Sequence, residues 1–282
     1  MSDLTSKQEQ LENVKELITL TVANNALVHE LQKERGATAI YVSSKGSKFS
    51  NELKAQRKLA NEAHTNLNGI LKSFSSDDDS VTQMLAKIQG ELSKIEGIRS
   101  RVDNFSIPLG KAIAYYTEQN HLMLGLAGYL SVISPRETVS NAIAYYALLE
   151  AKERAGIERA IASGGFANDM FTQFQKFISL MAIQANYLDQ FNTKASPEVT
   201  SAYKNILTNS AVLEVNRMRE VAVSVGQNGP FNIDAGSWFK NATGRINLLK
   251  DIENLVADEF VTEIDKLLSN ANKNVIIDLV II

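Results

Sequence analysis

Cysteine is absent from the 282 residues. That excludes disulfides, thiolate metal sites and cysteine nucleophiles. Proline is scarce, at four residues beside fifteen glycines, so little interrupts long helices. The three histidines, His29, His64 and His121, give thin material for a metal site. Glu118-Gln119-Asn120-His121 matches one Glu-x-x-His element of the di-iron bundles, which need two, so no metal is expected. There is no Gly-rich phosphate loop followed by Lys-Ser/Thr, no nucleophile elbow and no nucleophile–base set. The chain is therefore read as a non-enzyme without a cofactor. An excess of positive charge is missing too. Lys+Arg number 29 against 32 Asp+Glu, a net charge of −3, which argues against nucleic acid binding by this region. No stretch approaches the about 18 apolar residues of a membrane span. The polar opening MSDLTSKQEQ carries no apolar leader, so the chain as given reads as cytoplasmic. Runs of alternating β-branched residues bounded by turn signals are lacking as well, and no sheet is expected.

Helical periodicity fills the rest. Breakers fall at residues 43–47, 73–80, 103–110, 131–135, 163–165, 192–197 and 225–236. Seven breaks make eight long helices, and short loops between them imply antiparallel neighbours. The expected fold is all-α, with eight antiparallel helices in two four-helix bundles. Ser134-Pro135-Arg136-Glu137 reads as a capping box that opens the fifth helix, and Ser196-Pro197 opens the seventh in the same way. Lys33-Glu34-Arg35, with Ser44, Gly46 and Gln56-Arg57, is echoed 119 residues later by Lys152-Glu153-Arg154, Ser163, Gly165 and Gln175-Lys176. Trp238-Phe239 reads as an anchor for the last helix. The apolar ending over 274–282 reads either as a packed terminal helix or as the start of a further membrane or output segment.

Arginines stand where a helix wheel expects apolar side chains. At about 100° per residue, Leu31, Val42, Val28 and Leu17 share the face of Arg35. Arg159 lies with Leu148, Tyr145, Ala155, Gly156 and Ser163, a stripe of small residues that leaves room beside it. Arg217 lies with Ile206, Leu213, Val221, Ser210 and Ser224. A guanidinium withdrawn from water costs several kcal/mol unless an anion and hydrogen bonds match it, about the scale of a buried unpaired ion. Two solutions are open. The three arginines converge on one anion, or each pairs with a carboxylate such as Glu34, Glu158, Glu214 or Glu220. Arg154 and Arg219 also meet apolar faces of these helices, and periodicity does not separate them from the first set.

The segment Leu27-Val28-His29-Glu30-Leu31-Gln32-Lys33-Glu34-Arg35-Gly36, followed by Ser43-Ser44-Lys45-Gly46, Phe49 and Gln56-Arg57, resembles the opening of the nitrate- and nitrite-sensing (NIT) domain. Glu153-Arg154-Ala155-Gly156-Ile157-Glu158-Arg159-Ala160 and the later Trp238-Phe239, Thr243, Arg245-Ile246-Asn247-Leu248 are similar to further stretches of that family. The resemblance implies a helical sensor domain over 1–270, built of two bundle subdomains, with an apolar tail over 271–282. It implies a nitrate or nitrite anion as ligand, a homodimer, and an output signalling domain in the same chain or complex. In the family such outputs include chemoreceptor, histidine-kinase, cyclic-dinucleotide and RNA-binding antiterminator modules. A periplasmic position in a membrane receptor would follow if the chain is a fragment. Arg35, Arg159 and Arg217 are the ligand-binding residues that the resemblance and the helix phases together suggest. A guanidinium fork suits a planar oxyanion such as nitrate. The sequence departs from the family pattern at Thr38-Ala39-Ile40-Tyr41, where small residues are usual, so a bulky Tyr41 is expected to narrow the site.

Overall fold

The structure is a computed structural model that describes residues 2–280, with side chains described for residues 6–273. Ten helical segments make up the described chain. They are α1 (Ser2–Ser43), α2 (Ser50–Leu71), α3 (Asp79–Leu92), α4 (Ile95–Asp103), α5 (Leu109–Ile133), α6 (Val139–Ala167), α7 (Phe174–Lys194), α8 (Pro197–Ile206), α9 (Ser210–Val225) and α10 (Ala235–Val280). The described residues hold no β-strand, only an isolated bridge between Met170 and Asn228. None of their helices is long and apolar enough to cross a membrane. The apolar ending over 274–282 falls on side chains outside the described set.

Ten segments stand where eight were expected, because two long helices are each interrupted by a turn. Between α3 and α4 the chain turns at Ser93-Lys94, with the Ser93 hydroxyl donating to the Gly90 carbonyl at 2.7 Å. Between α8 and α9 Asn209 caps the new helix, its side chain accepting from the Ala211 amide at 2.9 Å. Neither break contains glycine or proline; polar side chains that bond to the backbone end each helix instead. Two expected boundaries move. The Ser163-Gly164-Gly165 stretch stays helical, and α6 ends only at Ala167, with the Phe171 ring lying against Gly165. Ser134 ends α5 and does not cap α6, which starts one turn later after Thr138. There the Thr138 and Val139 amides both bond to the Pro135 carbonyl. Ser196 does cap α8, accepting from the Val199 amide with Pro197 in the first turn.

α1 packs on α2, α5 and α10, while α6 packs on α7, α10 and α5. The largest apolar core runs through α1, α5, α6 and α10 and includes Leu20, Leu27, Leu31, Tyr116, Leu148 and Phe260. A second core gathers Phe166, Phe171, Phe177, Phe231 and Trp238. Trp238 is fully buried there, and its ring N–H donates to the Arg159 carbonyl at 3.0 Å. The start of α10 is thereby fixed to α6 beside the arginines.

Candidate functional site

Where α1, α6 and α10 meet, the interior is polar. Gln32, Arg35, Lys152, Glu153, Arg159 and Glu253 are all buried there. Two helical glycines make the close approach possible. A Cβ on Gly156 would sit 2.7 Å from an Arg35 terminal nitrogen, and one on Gly36 would sit 2.8 Å from a terminal nitrogen of Arg159. Glycine inside a helix costs about 1 kcal/mol relative to alanine, a cost offset only where a group must lie against the backbone. Each arginine is laid over the glycine of the opposite helix.

Arg35 and Arg159 both have fully buried side chains, and their partners differ in one respect. Arg35 donates to Glu153 Oε1 at 2.5 Å and Oε2 at 3.3 Å, and to the Thr117 hydroxyl at 3.0 Å. Glu153 also accepts from Gln32 at 2.8 Å and Asn120 at 3.3 Å. Arg159 bonds only to neutral groups, the Thr243 hydroxyl and the Gln32 carbonyl, each at 2.9 Å. Its guanidinium carbon lies 4.9 Å from the centre of the Phe239 ring. Among the described residues no carboxylate bridges to Arg159, and the Nε atoms of both arginines are buried without a hydrogen bond. Burial first, and then the charge of Arg35, draw the Arg159 guanidinium down to about 9. It remains charged at neutral pH. Next to this pair Lys152 bonds to Glu253, which also takes Lys250 at 2.5 Å. Four cations thus meet two carboxylates at this interface.

Arg217 is not part of it. Its side chain is 54% exposed on α9 and forks onto Glu214 in its own helix, at 2.6 and 2.9 Å. α9 carries apolar residues around much of its circumference, so periodicity alone put the wrong arginine inward. Its neighbour Arg219 is the one that points in, forking onto Glu158 at 2.5 and 2.6 Å. Arg154 pairs with Glu150 in its own helix. Glu34 and Glu158, considered as partners for the inward arginines, belong to other cations. Glu34 takes a fork from Arg99 at 2.7 and 2.8 Å and a bond from Tyr116 at 2.7 Å. Tyr41 does not narrow the site; in the last turn of α1 it stacks on Phe105 at 5.4 Å.

These pairings reveal a duplication in a different register from the expected one. Arg99 forks onto Glu34 and also donates to Asn61 at 2.6 Å; Arg219 forks onto Glu158 and also donates to Gln184 at 2.8 Å. Arg35 bonds to Thr117 on α5, and Arg159 bonds to Thr243 on α10. The matching register is the Glu-Arg dipeptide at 34–35 and 158–159, an offset of 124 positions, not 119. In it Arg159, not Arg154, corresponds to Arg35. Thr117, Thr243 and Gln32 were not singled out from the sequence as partners of the arginines.

A family model for nitrate and nitrite sensing matches residues 26–261. The chain is 26% identical over 266 residues to the nitrate regulatory protein of Klebsiella oxytoca, covering 93% of this chain and 67% of that protein. The solved structure of the NasR transcription antiterminator is similar with a TM-score of 0.84 at 26% identity, over 93% of this chain and 72% of that one. That relative corrects the exclusion of nucleic acid drawn from charge. A chain of this fold occurs in a transcription antiterminator, and a net charge summed over a whole surface does not report its local patches or its attached segments. With its helical fold, its buried arginine pair and a family match over most of its length, the chain belongs to the nitrate and nitrite sensing family.

Proposed function

We propose that this chain is a sensor domain that takes up nitrate or nitrite between α1 and α6, through Arg35 and Arg159. One observation carries the reading. Arg159 is a fully buried cation with no carboxylate partner among the described residues, next to a second arginine that also has an unused Nε donor. A buried unpaired charge is costly until an opposite charge arrives, so the site favours an incoming anion. Thr117, whose hydroxyl accepts from Arg35, also lines a groove of about 580 Å³ together with Ala39, Ile113, Ile157 and Gly164. That groove is the proposed way in.

The ten segments are read as two four-helix bundles, α1–α5 and α6–α10, with α3/α4 and α8/α9 each counted as one interrupted helix. The anion lies between the bundles, and α10 touches it through Thr243. A ligand shifts a helix arrangement only by its difference in affinity for two arrangements. Here that difference lies in the α1–α6 spacing, which sets the separation of the arginines. α1 and α10, the two longest helices, carry the change to an output module.

Isothermal titration tests the site. Nitrate is expected to bind the wild type, and Arg159→Gln is expected to weaken it by about 100-fold, the scale of losing a buried charge–charge contact. Equal binding by the wild type and Arg159→Gln would overturn the assignment. A second reading, a helical interaction module with ion-paired arginines, is favoured by the Arg35–Glu153 pair. It gains if nitrate, nitrite and chloride give no heat at any concentration.

A further inference from the structure

Phe49, in the corner between α1 and α2, holds a backbone conformation that its own side chain does not favour. Its φ of 63° and ψ of 18° lie in the left-handed region, where a bulky residue rarely settles. It is the N-cap residue of α2, yet it gives that helix no side-chain bond of the kind Ser, Thr, Asp or Asn would supply. Local chemistry argues twice against phenylalanine here, so contacts of the ring must hold it. The ring joins Ala37 of α1, Leu53 of α2 and Val102 of α4 in a small apolar core. It also meets Phe239 of α10 edge to face, with ring centres 5.4 Å apart and planes at 86°. Phe239 in turn lies against Arg159, its ring centre 4.9 Å from the guanidinium carbon. Gly36 leaves room for that ring, since a Cβ there would come within 3.2 Å of it.

Resting on the anion site proposed above, we infer that Phe49 is a positioning residue for that site: through Phe239 it holds Arg159 in place and keeps water off one face of the guanidinium. An aromatic ring attracts a guanidinium without neutralising it. A carboxylate in the same place would also anchor Arg159, but it would use up the charge that an anion needs. Water kept from the guanidinium leaves its attraction for an anion less screened. Phe239 is only half-buried, so its own surroundings do not fix the ring, and the edge-to-face contact with Phe49 supplies the missing support.

Nitrate titrations of the wild type, Phe49→Leu, Phe239→Leu and the double variant are the test, with far-ultraviolet circular dichroism to confirm folding. Leucine keeps an apolar side chain in the small core and removes the ring contact. Phe239→Leu is expected to weaken nitrate binding about tenfold and Phe49→Leu about fivefold, the scale of a partly buried cation–π contact. The double variant is expected to match Phe239→Leu within about twofold, because Phe49 acts only through Phe239. Phe49→Tyr keeps the ring and is expected to bind nitrate as the wild type does. Phe49→Asn suits the left-handed backbone and decides the matter if Phe49→Leu does not fold; it is expected to fold and still to lose about fivefold in nitrate affinity. Losses that multiply in the double variant, a folded Phe49→Leu or Phe49→Asn with wild-type affinity, or a Phe49→Tyr as weak as Phe49→Leu would overturn the role of Phe49 and leave the anion site standing. A wild type that binds no nitrate would overturn the site itself, and this inference with it.

Discussion

At the scale of single residues, the proposed anion site draws its chemistry from the unpaired charge of Arg159, which also sets a pH dependence. An anion binds the charged guanidinium, so the bound form holds its proton more tightly than the free form. Affinity is therefore fully present below the free value of about 9 and is lost as pH rises through it. Nitrate dissociation constants measured by titration calorimetry should be level from about pH 6 to 8 and rise by up to tenfold per unit above 9. A constant affinity up to pH 10 would mean that Arg159 does not lose its proton in this range. Much of this was legible in the sequence. Arg35 and Arg159 both stand on apolar wheel faces and both are buried, but Gly156, read as leaving room beside Arg159, lies against Arg35 instead. Glu153 was not legible as the partner of Arg35, because a pairing between α1 and α6 depends on helix–helix register, which no local pattern encodes. Arg217 failed for a different reason. Where a helix is apolar on several sides, a wheel does not choose between residues two positions apart.

At the scale of elements, each half of the molecule is tied by one buried fork from its third long helix to its first, Arg99 onto Glu34 and Arg219 onto Glu158. Removing one partner leaves a buried charge alone, whereas replacing both with apolar side chains removes the desolvation cost together with the attraction. Arg99→Met should therefore destabilise the protein by about 3–5 kcal/mol in urea unfolding, and the Glu34→Leu/Arg99→Met pair by clearly less. Strictly additive losses would mean that the fork is not a coupled pair. The elements themselves were readable from their periodicity, and the breaks at 43–47, 73–80 and 103–110 fall where turn residues cluster. The turns at Ser93-Lys94 and Asn209 were missed, since Ser and Asn occur equally on exposed helix faces and only the backbone partner reveals a stop.

At the scale of the whole molecule, the all-helical class was evident from scarce proline and the lack of alternating strands. The duplication was evident only in part. Its true register rests on side-chain partners on α4, α5, α7, α9 and α10, not on similarity along α1 and α6. The enclosure of Arg159 has a kinetic outcome. Phe239 covers one face of its guanidinium, Gly36 lies against a terminal nitrogen, and the side chain has no exposure to water. It cannot swing outward to collect an ion, so arrival must wait until the surrounding rods breathe apart. Capture in stopped-flow mixing should then run far below the diffusional ceiling and level off at high nitrate, at the frequency of that opening. A rate that climbs linearly without a plateau would mean that the guanidinium is reached from a door already ajar.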